Sequence, residues 1–296
     1  MQDLPEIEFK LPPLPTTLGE ILQVLSREAP VPDDKRLVTI IEKDPAIAIY
    51  VLRQVNSAYY GLRRQVTEIN RAVSLLGLKR VCNLVLAAAL KQTFAYLEDS
   101  TAQTIYGQII KTSVATAAFA RDLATYLHIP PAEMAFTTGI LHQLGRLVFL
   151  YSVPHLYLPL WQNGTAATAR VSYLAPSRET EDARFNTDYL RLGASTLREW
   201  NLPEEFATVL SHLHAPAQTT DSQLRSLTLT VVAGQAATEE LLLAGEAAIP
   251  LENRHLPGLL AALSEGRSTD VEELTGFLEG RKAVVGEFTQ TVVADL

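Results

Sequence analysis

The sequence has few of the residues that build disulfide frameworks or membrane spans. Its 296 residues include one cysteine, Cys82, so no internal disulfide can form and a reducing compartment is expected. The longest strongly apolar stretch, 81–90, is flanked by Arg80 and Lys91 and falls short of the roughly 20 residues that cross a bilayer. The first residues lack the basic and apolar regions of a signal peptide. We therefore expect a cytoplasmic protein with no membrane partner.

Motifs that identify the common enzyme classes are also missing. The sequence contains no Gly-x-Ser-x-Gly nucleophile elbow, no Gly-x-x-x-x-Gly-Lys phosphate loop and no Gly-x-Gly-x-x-Gly dinucleotide loop. Serine, histidine and aspartate are all present, but no local spacing marks them as a catalytic triad. These absences argue against the familiar hydrolases and nucleotide-binding enzymes without excluding every enzyme.

The charge of the chain is unevenly distributed. The net charge of −8 argues against a general nucleic-acid binder. Residues 50–91, however, contain seven basic residues and one acid, which gives this segment +6 and leaves −14 for the remainder. We call residues 50–91 the basic window. It is either a solvated face or a surface that attracts a phosphate-bearing ligand or an acidic partner.

Helical periodicity runs through nearly the whole chain, and no segment shows convincing strand alternation. Asp44-Pro45 predicts a helix start, because aspartate caps the helix and proline fits its first position. A long helix is predicted over Thr104–Leu127 and one or two amphipathic helices over Asp270–Val293, whereas residues 159–185 favour a long, partly irregular connection. The predicted class is all-α, a bundle of many helices.

Five sequence blocks occur in series: Leu11-Pro-Pro-Leu-Pro15, Ile41-Glu-Lys-Asp-Pro45, Val55-Asn-Ser-Ala-Tyr-Tyr-Gly61, Ile69–Leu78 and Trp200-Asn-Leu-Pro203. Together they resemble one family, the HDOD domain. The resemblance covers about residues 11–216, with expected helical subregions 11–100 and 101–216 and a C-terminal helical extension, 217–296, packed on the same body. It implies a bacterial signalling protein with an HD-like fold that is related to metal phosphohydrolases but usually lacks their full ligand set.

One block bears on that ligand set. Residues 139–146 read Gly-Ile-Leu-His-Gln-Leu-Gly-Arg, which resembles the HD phosphohydrolase core except that Gln143 stands where the metal-bridging aspartate would be. Aligning the other blocks gives the following degenerate metal-site positions: Thr112, His142, Gln143, Tyr189, Leu213, His214 and Gly234. Two neutral imidazoles without a carboxylate suit Mg²⁺ or Mn²⁺ poorly. We therefore expect no metal, no cofactor and no catalytic residue.

A second candidate site lies in the basic window. The predicted ligand-binding residues are Asn56, Ser57, Tyr60, Arg63, Arg64, Lys79 and Arg80. A polar turn, aromatic rings and guanidinium groups could hold a nucleobase and a phosphate. The same residues could equally end a helix, form a turn at Gly61 and pack a tyrosine on the core. The sequence leaves both interpretations open.

The resulting hypothesis is a non-catalytic signalling or regulatory module. It would bind a small anionic ligand, for which a cyclic dinucleotide is the natural candidate, or a protein partner in a signalling system. One alternative is a nucleic-acid-linked regulator that uses the basic window. The other is a residual metal-dependent phosphohydrolase. A homodimer is left open.

Overall fold

The computed structural model of the chain describes residues 8–13, 19–21, 25, 34–94, 97, 99–163, 173–242 and 256–293. Its α-helices are α1 Asp34–Glu42, α2 Pro45–Val55, α3 Ile69–Leu76, α4 Leu78–Phe94, α5 Ser100–Tyr126, α6 Ala132–Leu141, α7 Leu144–Ser152, α8 Pro154–Tyr157, α9 Arg178–Phe185, α10 Tyr189–Glu199, α11 Glu204–His212, α12 Ser222–Ala237, α13 Leu256–Ser264 and α14 Val271–Val293. Residues 19–21 and 25 are also helical. The all-α class is therefore confirmed.

Shorter elements join these helices. Three 3₁₀ turns cover Ala58–Tyr60, Leu158–Leu160 and Pro216–Gln218, and a π-helical segment covers Thr238–Leu242. The strands β1 Gln162–Asn163 and β2 Tyr173–Leu174 form a two-residue antiparallel pair, with Gln162 opposite Leu174. In the described part of the chain, no helix is both long enough and apolar enough to cross a membrane.

The connection expected to be partly irregular over 159–185 ends in a helix, α9, that the sequence analysis did not predict, and residues 164–172 lie outside the described residues. The Ser177 side chain caps this helix by accepting a hydrogen bond from the Thr180 amide at 3.3 Å, and Asn186 ends it with a φ of 55°. The helix buries only Glu181 and Phe185. A helix that is polar almost all round carries no hydrophobic period, which is why the pattern missed it.

Helix α5 forms the centre of the molecule. Most of its length from Ala102 to Ala124 is buried, and its small side chains let neighbouring backbones approach closely. A Cβ atom on Gly234 of α12 would lie 2.8 Å from the backbone oxygen of Thr116 and 2.8 Å from the backbone nitrogen of Ala120. Glycine is therefore required where α12 crosses α5, and this close crossing builds the core.

The last helix, α14, also packs on the body. The Arg281 Nε atom donates to Asp122 of α5 at 2.7 Å. The ring of Phe288 stacks on Tyr59 with centroids 4.5 Å apart, and the Tyr59 hydroxyl donates to Asp122 at 2.9 Å. Helix α14 thus contacts both the central helix and the 3₁₀ turn that follows α2.

Candidate functional site

His142 lies in the turn between α6 and α7 and is 1% exposed. Its Nδ1 atom is 2.6 Å from the backbone oxygen of Gly139. Because a carbonyl oxygen only accepts, Nδ1 carries the hydrogen and Nε2 is left as a bare acceptor. Burial lowers the pKa of His142 to about 4, so the ring is neutral at neutral pH. The buried Nε2 atom has no hydrogen-bond partner among the residues that the structure describes.

Gln143 and Thr112, two of the degenerate positions, bind each other. The Gln143 Nε2 atom donates to the Thr112 hydroxyl at 2.6 Å, and both side chains are buried. The Thr112 hydroxyl lies 3.0 Å from the backbone oxygen of Ile109. The two positions at which the sequence analysis predicted lost metal ligands thus carry a neutral amide and a neutral hydroxyl that bind each other.

Arg146 contacts both Gln143 and Tyr189, which is a third degenerate position. Its Nη1 atom donates to Gln143 Oε1 at 3.2 Å, and its Cζ atom lies 3.8 Å from the centroid of the Tyr189 ring. The Nη2 atom donates to the backbone oxygen of Pro176 at 3.3 Å. The side chain is 3% exposed. A permanent cation thus lies between Gln143 and Tyr189, two of the predicted degenerate positions.

Glu181 on α9 supplies the counter-charge. It is fully buried, and its Oε1 atom is 3.6 Å from Arg146 Nε. The same carboxylate accepts a hydrogen bond from the Tyr157 hydroxyl at 2.7 Å and another from the Tyr189 amide at 2.8 Å. Burial raises the pKa of Glu181, while Arg146 and the two donors oppose that rise. We call Thr112, Gln143, Arg146, Glu181 and Tyr189 the guanidinium site.

The sequence analysis missed Arg146 and Glu181. One signal was available, since Arg146 is the only lysine, arginine, aspartate or glutamate between Met134 and Val153. A single charge inside so apolar a run indicates a buried ion pair or a functional group. The position of its partner, Glu181, carried no comparable signal because α9 is rich in charged residues.

The remaining degenerate positions do not complete a metal site. Leu213 is buried and His214 is exposed, whereas His142 is enclosed. Gly234 has no room for a side chain because α5 lies against it. Within the described ranges, no three His, Cys, Asp or Glu residues are grouped so that they could hold a metal ion. The residues present therefore do not fit a catalytic divalent cation.

Two of the predicted ligand-binding residues hold a turn. The Asn56 amide donates to the backbone oxygens of Leu52 at 2.7 Å and Val66 at 2.8 Å, and its oxygen accepts from the Val66 amide at 2.8 Å. The Ser57 hydroxyl donates to the Gln54 oxygen at 2.7 Å. Asn56 and Ser57 thus close the end of α2, and Gly61 follows with a φ of 58°.

The other five predicted residues differ in exposure and in the contacts they make. The Tyr60 hydroxyl is buried, and Arg80 Nε donates to Glu133 at 2.8 Å. Lys79 is partly exposed, while Arg63 and Arg64 are exposed. Arg63 and Arg64 are therefore the members of this set most accessible to a ligand.

A buried arginine lies behind Tyr60. The Arg121 Cζ atom is 5.7 Å from the Tyr60 ring centroid, 4.9 Å from Tyr59 and 4.5 Å from Phe136. Its Nη1 atom is 3.7 Å from Glu133 Oε2. Arg121 and Glu133 thus link Tyr60 and Arg80 to the core, a role that residue type alone could not reveal.

An open depression, which we call the α2–α4 cleft, lies between α2 and α4 and is formed partly by residues of the basic window. Its volume is about 420 Å³, and it is lined by Ala46, Ile49, Tyr50, Arg53, Ala88, Lys91 and Gln92. Tyr50 and Ala88 are buried, whereas Ile49 is 60% exposed. The Lys91 Nζ atom lies 6.0 Å from the Tyr50 ring centroid. The sequence analysis did not propose this cleft.

Solved structures with the same fold are known. The chain is similar to an HDOD domain protein from Geobacter sulfurreducens, with a TM-score of 0.72 and 16% identity over 96% of this chain and 93% of that one. It is also similar to a protein from Shewanella amazonensis SB2B that is provisionally named a phosphohydrolase, with a TM-score of 0.67 and 23% identity over 95% of each chain. Similarity at these identities establishes a shared fold, and it does not extend to activity.

Sequence comparison supplies the family. A protein of Treponema pallidum (strain Nichols), named only as uncharacterized, is 24% identical over 204 residues, which are 69% of this chain and 37% of that protein. The chain thus spans little more than a third of that relative. The family model of the HDOD domain matches residues 11–216. That match covers the blocks, the turn at 142–143 and every residue of the guanidinium site, and this chain belongs to the HDOD domain family.

Proposed function

We propose that this chain is a non-catalytic signalling or regulatory module that recognises an anionic ligand or partner and does not hydrolyse one. The observation that carries this proposal is the position of the Arg146 guanidinium, enclosed between Gln143 and the Tyr189 ring. Metal ions that hydrolyse phosphoesters neutralise charge and also activate a water molecule. A guanidinium supplies positive charge and hydrogen-bond donors, but it offers no coordination position for water.

The electrostatics of the guanidinium site support the same conclusion. A divalent cation entering beside Arg146 would meet a like charge in a region of low dielectric constant, where repulsion is strong. Moving Arg146 away would leave Glu181 buried without its counter-ion, which is costly. The neutral pair Gln143 and Thr112 offers no charge to offset either cost.

The recognition half of the proposal rests on the basic window. Arg63 and Arg64 are exposed, and guanidinium groups bind phosphates and carboxylates in two-point contacts. A +6 segment on a chain of net charge −8 also favours the approach of an anionic ligand to residues 50–91. A cyclic dinucleotide and an acidic protein surface are both ligands of this chemistry. We further propose that residues 217–296 belong to the same functional body as 11–216, because α12 and α14 pack on α5.

The catalytic question is tested by measuring bound metal and phosphodiesterase turnover on the purified chain, with His142→Ala as the comparison. We expect no stoichiometric manganese, iron or zinc. Turnover of bis(p-nitrophenyl) phosphate should be at background, and His142→Ala should leave it unchanged. Stoichiometric metal together with turnover that His142→Ala abolishes would overturn the proposal.

The recognition question is tested by calorimetry against a panel of nucleotides and cyclic dinucleotides. Binding to any member should weaken in the variant Arg63→Ala with Arg64→Ala. Salt dependence separates the nucleic-acid alternative, since each neutralised phosphate of DNA or RNA releases counterions and steepens the dependence. Tight DNA or RNA binding with a steep salt slope would favour that alternative, and no binding to any nucleotide would favour an acidic protein.

A further inference from the structure

We infer that Glu181 fills an anion-binding site from within the chain, and that residues 8–13 and α9 form a cover whose opening gives this site to an anion from solution. We call residues 8–13 together with α9 the cover. This inference rests on the proposed function, because it names a second, closed site at which a protein that recognises anions would bind one.

The surroundings of Glu181 are those of an anion site. One carboxylate oxygen accepts a hydrogen bond from the Tyr157 hydroxyl at 2.7 Å, and the other accepts from the backbone amide of Tyr189 at 2.8 Å. Tyr189 is the first residue of α10, and amides at the start of a helix bind anions well. The Arg146 guanidinium faces the same carboxylate at 3.6 Å. A helix N-terminus, a hydroxyl and a guanidinium thus converge on one negative group.

Glu181 does not satisfy all the donors of this site. Arg146 is 3% exposed, and its Nε atom has no hydrogen-bond partner among the described residues. The 3.6 Å between Nε and Glu181 Oε1 is longer than a hydrogen bond, although guanidinium groups bind anions best through two such bonds. An anion that is not tied to the α9 backbone could bond to Nε as well as to Tyr157 and the Tyr189 amide.

Helix α9 carries Glu181 and is weakly attached to the body. It buries only two of its eight residues, Glu181 and Phe185. Its ion pair between Asp182 and Arg191 joins two side chains that are each about half exposed, and such pairs contribute little stability. A helix held by one apolar side chain and one carboxylate can separate from the body at far lower cost than global unfolding.

The N-terminal part of the cover contacts the apolar anchor of α9. The centroid of the Phe9 ring lies 6.3 Å from that of Phe185 and 5.3 Å from that of Phe149 in α7. The Lys10 amide donates to the Ser152 hydroxyl at 2.7 Å. One aromatic ring thus joins the two parts of the cover to each other and to α7.

The two parts of the cover are coupled through this aromatic group. Phe149 stacks on Tyr157 with centroids 4.7 Å apart, and the Tyr157 hydroxyl is one of the donors to Glu181. Phe9 itself is only half-buried, so its release exposes little additional surface of its own. Its release would admit water to Phe149 and Phe185, which weakens one of the two side chains that anchor α9. We therefore expect the two parts to open together.

Hydrogen exchange of the full chain, followed by mass spectrometry, tests the cover. Peptides of α9 should exchange faster than peptides from the centre of α5, because α9 opens without global unfolding. Phe9→Ala should speed the exchange of α9 by about tenfold and leave α5 unchanged. Phe277→Ala is the matched control and should leave α9 unchanged, because Phe277 is also half-buried but stacks on Tyr126 of α5.

Two exchange results would overturn the cover. One is unchanged exchange of α9 in Phe9→Ala. The other is equal acceleration of α9 and α5 in that variant, because this pattern reports a loss of global stability instead of a local opening.

Calorimetry with pyrophosphate tests whether Glu181 acts as an internal ligand. Glu181→Gln removes the competing charge with little change in shape, so it should tighten pyrophosphate binding by about tenfold. Asp182→Asn is the matched control, because it removes the same charge from the next residue of α9, where the carboxylate is about half exposed. It should change the affinity by no more than about twofold. Unchanged affinity in Glu181→Gln, or equal tightening in both variants, would overturn the inference.

A second measurement uses the wild-type chain, so it does not depend on the folding of a variant. Saturating pyrophosphate should speed the exchange of α9, because an anion that replaces Glu181 stabilises the open cover. Exchange of α9 that pyrophosphate leaves unchanged or slows would contradict the replacement.

The failure of this inference is distinguishable from a failure of the proposed function. Pyrophosphate binding that Arg63→Ala with Arg64→Ala removes and Glu181→Gln leaves unchanged would contradict the internal site while leaving the proposed function intact. Metal-dependent turnover, by contrast, would contradict the proposed function itself.

Discussion

The guanidinium site and the α2–α4 cleft use arginine in opposite ways. In the first, Arg146 is enclosed by an aromatic ring, an amide and a carboxylate, so its charge is compensated within the chain. In the second, the Arg53 side chain is exposed at the rim of an open depression. A buried cation of the first kind is tied to the stability of the scaffold, whereas an exposed cation contributes little to it.

The largest change in stability is expected when the buried cation is removed. Arg146→Met should destabilise the chain by about 3–5 kcal/mol, because Glu181 is left buried without its counter-ion. Urea unfolding followed by circular dichroism measures the loss. The double variant Arg146→Met with Glu181→Gln removes both charges and should be more stable than the single variant. A single-variant loss below about 1 kcal/mol would mean that the pair does not hold α7 to α9.

A smaller effect is expected from pH acting on His142. Its pKa is about 4 in the folded chain and near 6.5 when unfolded, so between these values the unfolded state binds more protons. Stability should therefore fall as pH decreases from about 6.5 to 4, by up to about 3 kcal/mol from this residue. The variant His142→Asn can still donate to Gly139 but does not titrate. Unfolding curves of the two proteins at several pH values should diverge across this range, and parallel profiles would contradict the neutral, buried imidazole.

The smallest change in stability is expected when exposed arginines are replaced. Arg63→Ala with Arg64→Ala should change the free energy of unfolding by no more than about 0.5 kcal/mol per site, because both side chains are exposed. The same urea titration measures this. A loss above about 1.5 kcal/mol for the pair would show that these arginines stabilise the turn, and their use as recognition residues would have to be reconsidered.

Local chemistry explains which parts of the fold could be predicted. Asp44 caps α2 as expected, since its carboxylate accepts from the Ala46 and Ile47 amides at 3.0 and 3.1 Å. Capping depends on residues that are neighbours in sequence, and the all-α class depends on a repeating apolar period. Helix α9 has a cap but almost no apolar face, so it could not be found by periodicity.

The candidate sites were harder to predict because their contacts are distant in sequence. The blocks located Thr112, Gln143 and Tyr189, but nothing in them indicated that Arg146 would lie between the last two. In the 56–64 turn, residue type was compatible with both a structural role and a binding role. Asn56 shows why, since its three hydrogen bonds are made to backbone atoms whose positions only the folded chain defines.

The stacking of Phe288 on Tyr59 has a practical consequence for anyone who shortens this protein. A piece cut at residue 216, where the family match ends, would uncover the Tyr59 ring and take Arg281 away from Asp122. The newly exposed aromatic surface would belong to the 56–64 turn, which also carries the proposed recognition residues Arg63 and Arg64. Affinities measured on such a fragment would report the damage from truncation together with the chemistry of the ligand.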